Sequence, residues 1–442
     1  MGPLGLLPVV GSDRKACAVT ATAPSSPASS RGAGLLRRRD VRLLLAGQAA
    51  SELGSQVGSI GLPLVAVLGL GASPLQVGVL TAAGTISFAV GGLPAGVWVD
   101  RLPRRPVLVG ADLVRGLALA TVPVAGALGR LTLAHLALVA LAAGMARVLF
   151  DVAYPSYLPA LVGRDELVGA NAYLETSRSA TQLTGPGLGG WLVQTVGAAT
   201  AVLADAVSFL ASAGCLLAIR AAEPRPAPSA RRRLRRELAE GLGFVLGQPA
   251  LRAITACTAL TNLLWAAAGT VQLLFLVHQV GLDPAAIGLL VSAGAAGGLL
   301  AALAATRVGR GADTARLIWL PVTVTAPFAL CTPLTAPGWR VALFPLGVAV
   351  TSFGQALYNI AQVSYRQARC PPELLGRMNA SIRFLVFGAL PLGGLLGGLA
   401  GERLGVHPTL WLVGFGLALT PLPLLASPLG RRASEVDRGL RQ

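Results

Sequence analysis

Ionisable side chains interrupt the apolar stretches of this chain at a few places, and those are where chemistry could occur. Glu52, Asp112, Arg115, Arg147, Asp151, Glu175, Arg178 and Asp205 all stand among apolar neighbours. A charge inside a membrane-length stretch is costly, so each is a functional candidate by default. Glu52 is the foremost. It lies about nine residues, or roughly 14 Å, inside the first apolar stretch, a depth suited to carrying a proton. Arg147 lies at a similar depth in the fourth stretch, which runs the other way. Asp112 and Arg115 are three residues apart, share a helical face and are expected to neutralise each other; Glu175 and Arg178 repeat the spacing. Asp151 falls near the end of its stretch, the place of a gate or a cap. Asp205 is expected to be satisfied by local hydrogen bonds.

Other chemistries lack their residues. A phosphate-binding loop needs Gly-x-x-x-x-Gly-Lys-Ser/Thr, and Lys15, the single lysine, has no such context. There is no His-Glu-x-x-His pattern and no Ser-His-Asp arrangement. His135, His278 and His407 are far apart, and the five cysteines form no Cys-x-x-Cys pair. No enzyme, metal site or cofactor is expected. Uphill movement of a solute would have to draw on an ion gradient.

The elements that must position these residues are membrane helices. Hydrophobic residues make up 54% of the chain and charged residues 12%, about half the charge of a soluble domain. The apolar runs are unbroken rather than alternating, which excludes a β-barrel. The expected fold is all-α, with twelve transmembrane helices. They run from about 43 to 70, 75 to 99, 107 to 128, 133 to 157, 168 to 196, 199 to 219, 251 to 280, 285 to 306, 317 to 334, 341 to 367, 375 to 399 and 409 to 425. The net charge of +17 comes from arginines at helix ends, which anchor topology. Nucleic acid is not an expected partner.

Residues 1–36 read as a disordered tail, 37–219 as a first six-helix bundle, 220–249 as a basic linker, 250–429 as a second six-helix bundle and 430–442 as a second tail. The linker contains Pro224, Pro226 and Pro228, then Arg231, Arg232, Arg233, Arg235 and Arg236. Six spans per half put both tails and the linker on one side. The arginine-rich loops after Val99, Thr306 and Gln367 join them, while the opposite loops hold Arg130, Arg340 and Arg403. This asymmetry makes the arginine-rich side cytoplasmic, with both termini inside a multi-pass cell-membrane protein.

The halves are copies. Placing Ser73-Pro74 on Asp283-Pro284, a shift of 284 − 74 = 210, brings Gly78 onto Gly288, Leu80 onto Leu290 and Gly84 onto Gly294. Further on the shift is 208: Ser156-Tyr157 meets Ser364-Tyr365, and Gly189 meets Gly397. Glu166-Leu…Asn171-Ala172 matches Glu373-Leu…Asn379-Ala380. Glu52 falls on Asn262 and Glu175 on Arg383, so the second half lacks the deep acid.

Between the second and third stretches stands Gly96-Val-Trp-Val-Asp100-Arg101-Leu-Pro-Arg104-Arg105. This Gly-x-x-x-Asp-Arg-x-x-Arg-Arg pattern resembles the loop between the second and third helices of the major facilitator superfamily of secondary transporters. Pro103 stands where that family usually has Gly. Two parallel six-span repeats joined by a cytoplasmic linker is that superfamily's arrangement. The Glu-Leu…Asn-Ala segments and Phe150-Asp151 resemble its bacterial branch of enterobactin-type siderophore exporters and macrolide efflux proteins. Gly185-Pro186-Gly187 resembles its antiporter-type fifth-helix motif.

The resemblance implies that the first and fourth helices line a cavity, where Glu52 and Arg147 could pair, either as a proton switch or as a permanent brace. It makes Glu52, Arg147, Asp151 and Asn262 the cavity and coupling candidates. It makes Gly96, Asp100, Arg101, Arg104 and Arg105 a gating loop, with Asp100 meeting the N-terminal end of the eleventh helix near Gly376. The expected function is proton-coupled export of a hydrophobic or amphiphilic small molecule by a monomer in the lipid bilayer. The alternatives are a flippase for lysophospholipid-type lipids, and a non-transporting sensor or assembly factor.

Overall fold

The computed structural model describes residues 37–162, 166–221, 223, 234–308, 314–371 and 373–430. The two tails, Pro224, Arg231 and Arg310 lie outside the described residues. Among the described residues every regular element is helical.

In chain order the helices are α1 (Arg39–Leu64), α2 (Pro74–Arg101), α3 (Arg104–Ala127), α4 (Leu133–Val162), α5 (Leu167–Val196) and α6 (Ala198–Ala218). Then come α7 (Leu234–Gly247), α8 (Pro249–Leu274), α9 (Pro284–Val308), α10 (Thr314–Thr325), α11 (Leu343–Arg369), α12 (Leu375–Leu404), α13 (Val406–Leu419) and the single turn α14 (Leu422–Leu425). Ten helices among the described residues are long and apolar enough to cross a membrane. α5 carries too many polar residues to join them. α10, with its 3-10 continuation Ala326–Cys331, is shorter. With these two, the twelve expected spans are all in place.

Local structure repeats with the sequence. α1 and α8 each end in a π-helical turn, Val65–Gly69 and Phe275–Gln279, at a shift of 275 − 65 = 210. Each turn is closed alike: Ala72 N–H donates to the Ala66 carbonyl and Leu282 N–H to that of Leu276, both at 2.9 Å. Gly71 and Gly281 adopt the positive φ that this reversal needs, at 59° and 76°. The next helix starts on Pro74 or Pro284, where a missing N–H costs nothing. The Gln76 side chain accepts from Ser73 N–H at 2.8 Å in one half, and the Asp283 side chain from Ala286 N–H at 2.8 Å in the other.

α1 packs on α5 and α6, α2 on α4, and α3 on α4 and α6; in the second group α8 packs on α12 and α13, and α11 on α9 and α10. Two crossings dominate the contact between the groups, α2 with α12 and α5 with α9. Both are built from glycine at the same end of the molecule. A Cβ on Gly78 would sit 2.6 Å from the Gly394 carbonyl oxygen and 3.0 Å from Gly398 Cα. A Cβ on Gly288 would collide with the Pro186 carbonyl and stand 3.0 Å from Gly190 Cα. Gly78 and Gly288 are repeat mates, and so are Gly398 and Gly190. Small residues let backbones approach this closely inside a membrane. Gly187 N–H also donates to Ser292 Oγ at 2.9 Å, and Leu75 N–H to the Glu402 carboxylate at 3.3 Å.

Toward the other end α2 and α12 part. Gly92 and Gly376 have no atom within 4 Å of where a Cβ would be. The linker's amphipathic stretch forms α7, and it is docked rather than free. Arg377 of α12 pairs with Glu240, Ser381 Oγ donates to the Leu238 carbonyl at 3.1 Å, and Val245 is buried beside Leu251 and Met378.

The glycine crossings predict a contrast. Gly288→Ala should destabilise the detergent-purified protein by about 1–3 kcal/mol through overpacking. Gly298→Ala, whose Cβ meets nothing within 4 Å, should be neutral or slightly stabilising. Thermal unfolding of both variants checks the difference. Equal effects would mean that α5 and α9 are not in contact.

Candidate functional site

Where α2 and α12 part they leave a cavity of 240 Å³ between the two groups of helices. Phe88 of α2, Val148 and Val152 of α4, and Asn379, Arg383 and Phe387 of α12 line it. Phe88 and Phe387 stack across the boundary, with ring centroids 5.4 Å apart. A guanidinium lies over each ring: Arg147 is 5.9 Å from the centroid of Phe88 and Arg383 is 5.8 Å from that of Phe387. The column Arg147–Phe88–Phe387–Arg383 therefore spans the boundary at about mid-helix depth, held by cation–π attraction and ring stacking.

Arg147 is not paired with Glu52. It pairs with Asp151, one turn along α4, at 3.6 Å. Among the described residues Glu52 enters no ion pair. It is half-buried on α1. Two residues from Gly54 is about 200° around a helix, so Glu52 stands nearly opposite the α6-facing side of α1. Asn262 is spent on packing: its Nδ2 donates to the Val386 carbonyl of α12 at 3.2 Å. Glu175 and Arg178 are exposed and, among the described residues, make no ion pair with each other.

The expected gating loop is bound to its own half. Glu223 accepts from the N–H groups of Arg104 (2.5 Å) and Arg105 (3.0 Å), placing a carboxylate at the N-terminus of α3. The Arg105 guanidinium donates to the carbonyls of Leu216 (2.9 Å) and Leu217 (2.6 Å), satisfying the C-terminal turn of α6. Asp40 accepts from Ala221 N–H at 2.9 Å beside them. Arg101 is exposed. Gly96 and Asp100 lie on the last turns of α2, and their surroundings lie outside the described residues. The Gly185-Pro186-Gly187 stretch is a junction, with Gly185 against Gln56 of α1 and Gly187 against Ser292 of α9.

A charged cluster is sealed between α1, α3 and α6. Arg115 lies 3.7 Å from Asp112, donates to Ser55 Oγ at 3.2 Å and covers the Phe209 ring at 3.6 Å. Asp205, expected to be satisfied locally, is 5% exposed, and its Oδ1 has no hydrogen-bond partner among the described residues. Asp112 is fully buried, against Arg115 and Ser212. Gly58 leaves room on α1 for the Asp205 carboxylate; a Cβ there would collide with it. Arg115 pairs with Asp112, and its charge also acts on Asp205. At shifts of 210 and 208, Ser55, Asp112, Arg115, Phe209 and Ser212 map onto Trp265, Val322, Thr325, Leu417 and Thr420. Those residues surround a small void in the second half. The cluster belongs to the first half alone. Laying the repeat over Asp112 and Arg115 is the sequence signal that would have found it.

The family model described as Major Facilitator Superfamily matches residues 44–389. The chain belongs to the Major Facilitator Superfamily. It is 28% identical over 387 residues to the multidrug efflux pump Tap of Mycolicibacterium fortuitum, covering 84% of this chain and 92% of that one. It is 29% identical over 364 residues to the enterobactin exporter EntS of Citrobacter koseri, covering 80% and 83%. A bacterial homologue of the iron transporter ferroportin in its inward-facing state shares the fold, with a TM-score of 0.71, 19% identity and coverage of 88% and 98%. The same homologue in its outward-facing state scores 0.60.

Removing Arg115 strands two buried carboxylates. Arg115→Ala should cost about 3–5 kcal/mol of stability, while Glu52→Ala, with no ion pair to break, should cost far less. Chemical denaturation in detergent compares them. Wild-type stability in Arg115→Ala would contradict the cluster.

Proposed function

We propose that this protein is a proton-driven exporter of a drug- or siderophore-type small molecule, working by alternating access. The observation that carries this reading is a cavity between two repeat-related helix groups, sealed by glycine crossings at one end and open at the other. It occurs in a chain that aligns over most of its length with an efflux pump and a siderophore exporter. Arg101, Arg104, Arg105 and Arg377 stand at the open end, which makes that end cytoplasmic by the positive-inside rule. Cargo then enters from the cytoplasm, and rocking of residues 37–219 against 250–429 delivers it outside. Nothing in the cavity or in these relatives favours a lipid flippase or a non-transporting sensor.

Glu52 is the proposed proton carrier. It is the deep acid of α1 without an ion-pair partner, on the side of the helix turned away from α6. A second reading places the proton in the α1–α3–α6 cluster, because Asp205 and Asp112 share one guanidinium. Transport in liposomes under an imposed pH gradient separates the two. Glu52→Gln should abolish uphill export and keep downhill exchange, while Asp205→Asn keeps both. Uphill export by Glu52→Gln, together with its loss in Asp205→Asn, would move the proton site to the cluster.

Asp100 is the proposed cytoplasmic latch toward the start of α12, where Gly376 faces open space in this state. Asp100→Asn should cut transport while leaving the amount of protein in the membrane unchanged. Its repeat mate Arg310 cannot play that part. Wild-type transport by Asp100→Asn alongside failure of Arg310→Gln would show that the two halves have their gating roles reversed.

A further inference from the structure

Arg383 is an exposed charge whose contact inside the fold is the Phe387 ring. It lies eight residues, or about 12 Å, into α12, and it lines the inter-half cavity. No carboxylate among the described residues lies within ion-pair distance of it. Its counterpart across the ring column, Arg147, is already matched by Asp151 at 3.6 Å. No acidic residue is among those that line the cavity, whose other walls are phenylalanine, small and aliphatic residues and the amide of Asn379. A guanidinium held unpaired in a membrane span marks a site whose partner comes from outside the protein.

We propose that this cavity is a subsite for an aromatic anion. A ligand ring packs against the edges of Phe88 and Phe387, whose faces are taken by each other and by the two guanidinium groups, and its carboxylate, sulfonate or phenolate pairs with Arg383. The planar guanidinium offers a fork of N–H donors that suits an oxyanion better than a point charge does. Asn379 adds an amide beside it. Because the two rings come from different halves, a bound ligand touches both moving groups at once. The repeat mate of Arg383 is Glu175, so the first half supplies no second positive charge at the equivalent place. This assignment rests on the export reading and narrows its cargo: the subsite selects against a cation of the same shape.

The test uses two probes that share a ring and differ in charge, naphthalene-2-sulfonate and 2-naphthyltrimethylammonium. Each is measured by equilibrium dialysis against the full-length protein in nanodiscs of zwitterionic phosphatidylcholine, with no proton gradient. The wild type should bind the sulfonate at least about tenfold more tightly than the ammonium probe, the scale of one charge-assisted hydrogen bond. Arg383→Gln should bring the ratio close to one, Arg383→Lys should retain part of the preference, and Phe387→Ala should weaken both probes. Equal or tighter binding of the cation by the wild type would overturn the assignment, as would absence of sulfonate binding. So would an unchanged ratio in folded Arg383→Gln. The wild-type comparison stands even if a variant fails to fold. Since no gradient is applied, proton-driven export can fail while the subsite stands, and the subsite can fail while export stands.

Discussion

Two crossings of glycine on glycine, Gly78 on Gly398 and Gly190 on Gly288, set the shape of this molecule. They are the places where two helix groups come within backbone contact, and both lie at one end. Lipid offers no hydrophobic drive between helices, so close packing of this kind is what holds membrane helices together. With one end drawn tight, α2 and α12 diverge toward the other, and the cavity at Phe88, Asn379 and Arg383 is the result. The two crossings are repeat mates of each other. A single duplicated device therefore seals both sides of the boundary.

Charge is the second constraint. In a medium that cannot solvate ions, each buried charge must find a counter-charge, water or a ligand. The first half spends Asp112, Arg115 and Asp205 inside one bundle, away from the boundary. Arg147 and Asp151 answer each other beside the cavity. Glu223 and Asp40 bind the backbone at the ends of α3 and α6, so the basic residues at 104 and 105 hold the first half together. Among the described residues Glu52 and Arg383 enter no ion pair, and Arg383 lines the cavity between the two helix groups.

Much of the fold was legible in the sequence, because apolar stretches and their arginine-rich ends mark helix limits directly. The repeat shifts of 210 and 208 reappear in the paired π-turns and in Gly197 and Gly405, whose φ angles are 90° and 91°. The site was less legible. Depth along a helix can be counted from the sequence, but direction around it depends on neighbours. Glu52 and Arg147 have matching depth, yet Arg147 turns toward Phe88 and the acid four residues along its own helix. Asp205 read as an isolated polar residue because its neighbours Arg115 and Asp112 are about ninety positions away. The docking of α7 on α12 was hidden by the basic composition around it, although Phe244 and Val245 carried an apolar face.

Export by alternating access requires the sealed and open ends to exchange. Spin labels at Leu102 and Glu373 report the end that is open in this structure, and labels at Leu75 and Leu404 report the sealed end. Double electron–electron resonance on both pairs in nanodiscs, with and without bound substrate and across a change of pH, measures the exchange directly. Alternating access predicts two populations, in which the first distance shortens as the second lengthens. Distances that stay single and unchanged under every condition, or that shorten together, would contradict it.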